Sequence, residues 1–179
     1  MEYAAGIFET ICADGSLLPP TVVFNGINRQ LDVVQRTKEL GNWNVVWNQR
    51  GSINGNVMLR WIDSFDQAAE DEKSAMKWRL RLLDNVSCHL VDGVLVKVEE
   101  LQIEIATYHS NATHEMQPYD VVAFKIFNGE FDRLQEDLNE RDIPIEKLRF
   151  LGLLKMAQKK GLRDIIVRKS FEKVRHLAF

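Results

Sequence analysis

The sequence predicts an α/β domain, and three observations lead there. Extended and helical patterns alternate in the order strand, strand, helix, strand, helix, strand, helix, followed by a helical tail. Two short extended stretches, around Leu80 and Ile105, flank one stretch of helical periodicity, the pattern of parallel strands joined by a helical crossover. The length of 179 residues suits one domain, or two small ones, with a sizeable core.

Each element has its own signal. Tyr3 to Ala13 reads as a strand, with Ile7, Thr10 and Ile11 favouring extended backbone. Ala13-Asp14-Gly15-Ser16 marks a turn, and Leu17 to Phe24 returns as a second strand of a hairpin. Pro19-Pro20 implies that this strand is an edge or carries a bulge. Residues 25 to 55, rich in Asn and Gly, read as a long loop with a short strand near Trp43 to Trp47. Asn54 can cap the clearest helix, in which Val57, Met58, Trp61, Ile62, Phe65 and Ala69 recur at helical spacing. Trp78 to Leu83 is a short strand, ending at the turn signal Asp84-Asn85. Leu90, Val91, Val94, Leu95, Val98 and Leu101 return to helical spacing, and Ile103 to Tyr108 alternates as a strand. A helix is expected from near Asp120 towards Asn139. Pro144 interrupts the chain, and two more helices are expected over 145–160 and 162–176, with Gly161 as the C-cap between them.

Composition narrows the function classes. With 45% apolar and 27% charged residues, four prolines and ten glycines, the chain is neither fibrous nor of low complexity. No apolar run is long enough for a transmembrane helix, and no membrane partner is expected. The opening residues lack the basic flank and apolar stretch of a signal peptide. Cys12 and Cys88 form neither a disulfide framework nor a CxxC zinc motif, so reduced thiols in an intracellular protein are expected. The net charge of −3 hides an asymmetry. Residues 147–179 hold ten Lys/Arg and two acids, a net +8, while the preceding 146 residues hold 13 Lys/Arg and 24 acids, a net −11. A basic tail of this kind can meet nucleic acid, an acidic surface, or the protein's own body, or simply face solvent. Lys155, Lys159, Lys160, Arg163, Arg168 and Lys169 are the candidate phosphate contacts.

Two acids follow the parallel strands. Asp84 stands where the Leu80 strand ends, and Asp120 follows the Ile105 strand and its loop. Ligand sites of open α/β sheets cluster at such carboxyl ends. Two carboxylates converging there suit Mg²⁺ or Mn²⁺, ions that activate a water or hydroxyl and stabilise a leaving oxygen in phosphoryl transfer. Each acid also has a structural explanation, Asp84 as a turn residue and Asp120 as an acid near a helix start. His89 and His114 lie near the two acids and are auxiliary candidates. There is no Walker A motif, GxGxxG motif or nucleophile elbow.

Three strings together resemble a known family. Ile11-Cys12-Ala13-Asp14-Gly15 with Leu18-Pro19-Pro20-Thr21-Val22-Val23-Phe24-Asn25-Gly26 resembles the hairpin of DDE superfamily endonucleases, in particular the pogo/Tigger-type transposases and their centromere protein B-like and jerky-like relatives. Leu82-Leu83-Asp84-Asn85-Val86-Ser87-Cys88-His89 resembles the second-aspartate motif of that family. Thr113-His114-Glu115-Met116-Gln117-Pro118-Tyr119-Asp120-Val121-Val122-Ala123-Phe124 resembles its third-aspartate motif and is the most specific of the three. The tail from Arg149 to Lys173 resembles the helical end of fungal members. Val86, Tyr108-His109-Ser110, Tyr119 and Val174-Arg175-His176 depart from the usual patterns.

The resemblance implies an RNase H-like mixed sheet flanked by helices. It also implies a site of three carboxylates holding Mg²⁺ or Mn²⁺, a DNA substrate and a nuclear location. Asp84 and Asp120 match the second and third acids. The first would belong to a strand ahead of residue 1, so an N-terminally truncated domain is expected, without that central strand and not competent for catalysis alone. A homo-oligomer or a protein partner is then expected to cover the open sheet edge. Residues 1–140 would form the partial nuclease-like domain and 141–179 the basic helical tail. The alternatives are a non-catalytic protein-interaction module and an inert transposon relic.

Overall fold

The computed structural model describes residues 5–68, 79–83, 91–108 and 113–175, with backbone alone at 79–83 and 113–114. The hairpin forms as its β-favouring residues and turn signal predict. β1 (Ala5–Ile11) and β2 (Leu17–Asn25) pair antiparallel. Gly15 closes the loop at φ +92°, a conformation that favours glycine. Its N–H donates to the carbonyl of Cys12 at 2.9 Å, while the Asp14 carboxylate accepts from the Ser16 N–H and hydroxyl at 2.8 and 2.7 Å.

The two prolines create a bulge and not an edge. Phe8 pairs with Thr21 and Thr10 with Leu18, so two steps along β1 face three along β2. The extra residue falls at Pro19-Pro20, where the missing N–H groups would otherwise break the ladder. β2 is nevertheless the central strand of the order β1-β2-β3, and β3 (Asn44–Asn48) runs parallel to it.

Parallel neighbours need a crossover, and α1 (Leu31–Glu39) supplies it in the region expected to be a loop. That helix buries only Val33 and Thr37, one position per turn, so it leaves almost no apolar stripe in the sequence. Gly41 and Asn42, with φ of 111° and 56°, turn the chain out of it.

α2 (Gly55–Ala68) buries Val57, Met58, Trp61, Ile62 and Phe65, and the Asn54 side chain accepts from the Val57 N–H at 3.0 Å, as a cap should. β4 (Arg79–Leu83) and β5 (Ile103–Thr107) pair in parallel, Arg79 with Ile103 through Leu83 with Thr107, across α3 (Asp92–Glu100). Among the described residues these strands form a hydrogen-bonded pair separate from β1-β2-β3. The mixed α/β class holds, with its strands in two groups.

The chain continues through a short α4 (Thr113–Met116), a π-helical turn (Tyr119–Ala123), α5 (Phe124–Glu140), α6 (Lys147–Gly161) and α7 (Asp164–Arg175). The hairpin is covered on both faces. Val22 and Phe24 of β2 pack with Phe127, Phe150, Leu151, Leu154 and Val167 from α5, α6 and α7. Phe8 and Leu18 pack on the opposite side, in the cluster of Met58, Trp61, Phe65, Val94 and Ile103. The second cluster also joins the two strand groups. Thr10 is buried there and accepts from the Trp61 indole N–H at 3.2 Å, which satisfies both polar groups.

Gly161 has a different role from the expected cap. It is the last residue of α6, and a Cβ there would lie 2.6 Å from the Phe127 Cα and 2.9 Å from its nitrogen. It lets α5 and α6 approach at backbone distance, and Leu162 takes the cap position.

Candidate functional site

β4 and β5 set the frame of the site. They are parallel and in register, so their carboxyl ends, Leu83 and Thr107, lie side by side. Asp84 is the next residue after β4 in the sequence. It lies outside the described residues, as does His89. His114 falls in α4, and its side chain also lies outside them.

Asp120 is described in full. After β5 the chain passes through α4 and Pro118 into the π-helical turn, where the Asp120 N–H donates to the Gln117 carbonyl at 3.1 Å. Such wide turns are rare and often stand at functional positions. Ala123 anchors this one with no solvent exposure, and Tyr119 stacks obliquely on Phe124 with ring centroids 5.5 Å apart. Asp120 itself is half-buried.

A further acid lies within electrostatic reach of this turn. Glu9, half-buried on β1, accepts from the Gln158 amide at 3.0 and 2.9 Å. Burial pushes its carboxyl up to about 7, against the opposing pull of Gln158 and Lys155. Burial also raises the Tyr119 hydroxyl, and the negative charges of Glu9 and Asp120 raise it further. Sequence reasoning passed over Glu9. The available signal was an acid between Ile7 and Ile11 on the strand face that turns to the core.

Two other acids are engaged elsewhere. Asp14 is held below the usual carboxylate range by its hydrogen bonds to Ser16, with Arg168 adding to the effect, and Asp63 forms an ion pair with Lys97. Among the described residues, no group of three His, Cys, Asp or Glu side chains could hold a metal ion. The donor available on the π-helical turn is a carboxylate oxygen, which suits a hard divalent ion.

The six basic candidates have separate environments. Lys155 sits over the Trp43 ring, 5.5 Å from its centroid. Lys160 pairs with Glu130 at 3.6 Å. Arg168 lies against the hairpin loop, beside Gly15 and Asp14. Lys159, Arg163 and Lys169 are exposed on α6, on the connection after it, and on α7. Among the described residues, no helix is long and apolar enough to cross a membrane.

The family model described as DDE superfamily endonuclease matches residues 4–171. Neither the curated proteins nor the solved structures provide a match.

Proposed function

The chain belongs to the DDE superfamily endonuclease family, and from that membership we propose that it is a transposase-derived domain that binds DNA and carries a divalent-ion site at the ends of β4 and β5. Membership implies nuclease ancestry and a DNA substrate. The pogo/Tigger type, the RNase H-like sheet and the nuclear location are part of the proposal.

The observation that carries it is the placement of Asp120 on a π-helical turn beyond β5, the parallel neighbour of the strand that Asp84 follows. Asp84 and Asp120 would hold Mg²⁺ or Mn²⁺, with His89 and His114 as auxiliary groups. The ion's chemistry in this family is to polarise a phosphodiester and activate the attacking hydroxyl. Lys159, Arg163 and Lys169 would position DNA through its phosphates, which carry no sequence information. Lys155, Lys160 and Arg168 have neighbours within the fold and would add to the positive field.

Two carboxylates leave the ion weakly held, so the 179-residue chain by itself is proposed to bind DNA without cutting it. A second copy or another protein covering the edge of β1 would accompany that role. One observation favours a second reading, a non-catalytic protein-interaction module: Ile27, ahead of α1, and Leu31, its first residue, are 78% and 79% exposed.

The test is Mn²⁺ titration by calorimetry, with DNA binding measured in parallel. Asp84→Asn and Asp120→Asn should each weaken Mn²⁺ binding at least about tenfold, roughly 1.4 kcal/mol, while DNA binding is kept. Equal Mn²⁺ affinity in the wild type and both variants would remove the proposed ion site. Absence of DNA binding by the wild type would favour the interaction module.

A further inference from the structure

Among the described residues one aromatic ring is exposed, and it stands one turn from Asp120. Trp43 and Trp61 are buried, and the remaining described rings are buried or half-buried. Phe124, the first residue of α5, is 40% exposed. Its N–H donates to the Tyr119 carbonyl five positions back, the bond that closes the π-helical turn. Side chains four positions apart on a helical turn share one side of it, as neighbours. Asp120 and Phe124 are such a pair.

The ring is held in place from the protein side. Tyr119 lies against it, with ring centroids 5.5 Å apart and planes at 46°. Tyr119 itself packs on the cluster of β2, α5, α6 and α7, and Ala123 before Phe124 and Phe127 a turn after it are buried. The next residue, Lys125, is exposed. A flat ring and a cation side by side are the two groups that hold single-stranded nucleic acid, the ring by stacking on a base and the cation by meeting a phosphate.

We propose that Phe124 and Lys125 form a stacking platform that seats one unpaired base beside Asp120. This rests on the DNA-binding reading and adds the form of the DNA: a duplex end with a single-stranded overhang, in preference to an uninterrupted duplex. Within a duplex both faces of a base are taken by its neighbours, and freeing one costs unstacking and unpairing. An unpaired base offers a face without that cost. A ring already fixed by Tyr119 loses little freedom when the base arrives. Lys125 holds the backbone next to the seated base, which sets the register of the strand at Asp120.

The experiment compares binding of the full chain to a blunt duplex and to the same duplex with a short overhang, whose first unpaired position carries a fluorescent adenine analogue. No divalent ion is added, so the result does not depend on the ion site. The wild type should bind the overhang duplex about five- to a hundredfold more tightly than the blunt one and quench the analogue. Phe124→Leu, which keeps an apolar side chain without the flat ring, should lose the preference and the quenching while binding the blunt duplex as the wild type does. Phe124→Trp should keep both. Equal wild-type affinity for the two duplexes would overturn the platform and leave the DNA-binding reading standing, as would a leucine variant that keeps the preference. If Phe124→Leu does not fold, quenching by the wild type and by Phe124→Trp decides, and its absence in both overturns the platform. A wild type that binds neither duplex would overturn the DNA-binding reading and the platform together and make the exposed ring a protein contact.

Discussion

The hairpin and the β4-β5 pair are built from the same kind of strand but are supported differently. β2 has five successive buried residues, Pro20 to Phe24, because helices cover both of its faces. β5 buries only Ile103 fully, and its crossover helix α3 buries only Val94 and Val98, leaving Leu95 and Val96 42% and 57% exposed. Among the described residues the hairpin side has the deeper core, and β5 leans on it through α2. A site at the end of β5 would stand on a lightly buried strand, open to a large substrate, with its rigidity borrowed from the hairpin side.

The largest expected effect tests this contrast directly. Phe24 has no solvent exposure and packs against Phe150 with ring centroids 6.1 Å apart. Phe24→Ala should cost about 3–5 kcal/mol. Val98→Ala in α3 removes far less buried surface and should cost about 1 kcal/mol. Chemical denaturation of both variants measures the difference, and equal losses would mean that the two halves are supported alike.

Gly161→Ala comes next, and it acts only on the hairpin side. The added methyl meets backbone atoms of Phe127 at 2.6 and 2.9 Å, which cannot rotate away as a side chain could. Overpacking of this kind costs about 1–3 kcal/mol. If Gly161 acted instead as a helix stop, Gly161→Asn would be tolerated better than Gly161→Ala. With close approach as the cause, the larger residue is the worse one.

Local signals made much of this fold legible. The hairpin showed in its β-favouring residues and in Asp14-Gly15, and α2 showed in five buried apolar positions behind a capping Asn54. The parallel β4-β5 pair followed from the helix between its strands. What escaped was decided at long range. α1 is held by two buried positions, too few to print a stripe. The central place of β2 was obscured by two prolines that a bulge accommodates. Glu9 resembles a solvent-facing strand residue until Gln158, far along the chain, is folded against it. Asp120 could be named from its motif, but the wide turn beneath it has no periodicity of its own.

The smallest effect probes the element that joins the two regions. The Asn54 side chain accepts from the Val57 N–H at 3.0 Å, while its carbonyl accepts from the Met58 N–H at 2.9 Å. Asn54→Ala keeps the second bond and deletes the first, at a cost of about 1 kcal/mol. Asn54→Asp should restore the loss, because a carboxylate accepts the same bond and its charge suits the positive end of α2. An Asp variant no more stable than the Ala variant would show that the cap contributes nothing. The form of the transition carries further information. α2 supplies Val57 to the β2-β3 side and Trp61 and Phe65 to the cluster shared with β5. Fraying its first turn should therefore lower both halves together, in one cooperative step seen alike by tryptophan fluorescence and by backbone dichroism. Two separated transitions would show that the strands leading to the candidate acids unfold apart from the hairpin, and that their rigidity is not borrowed through α2.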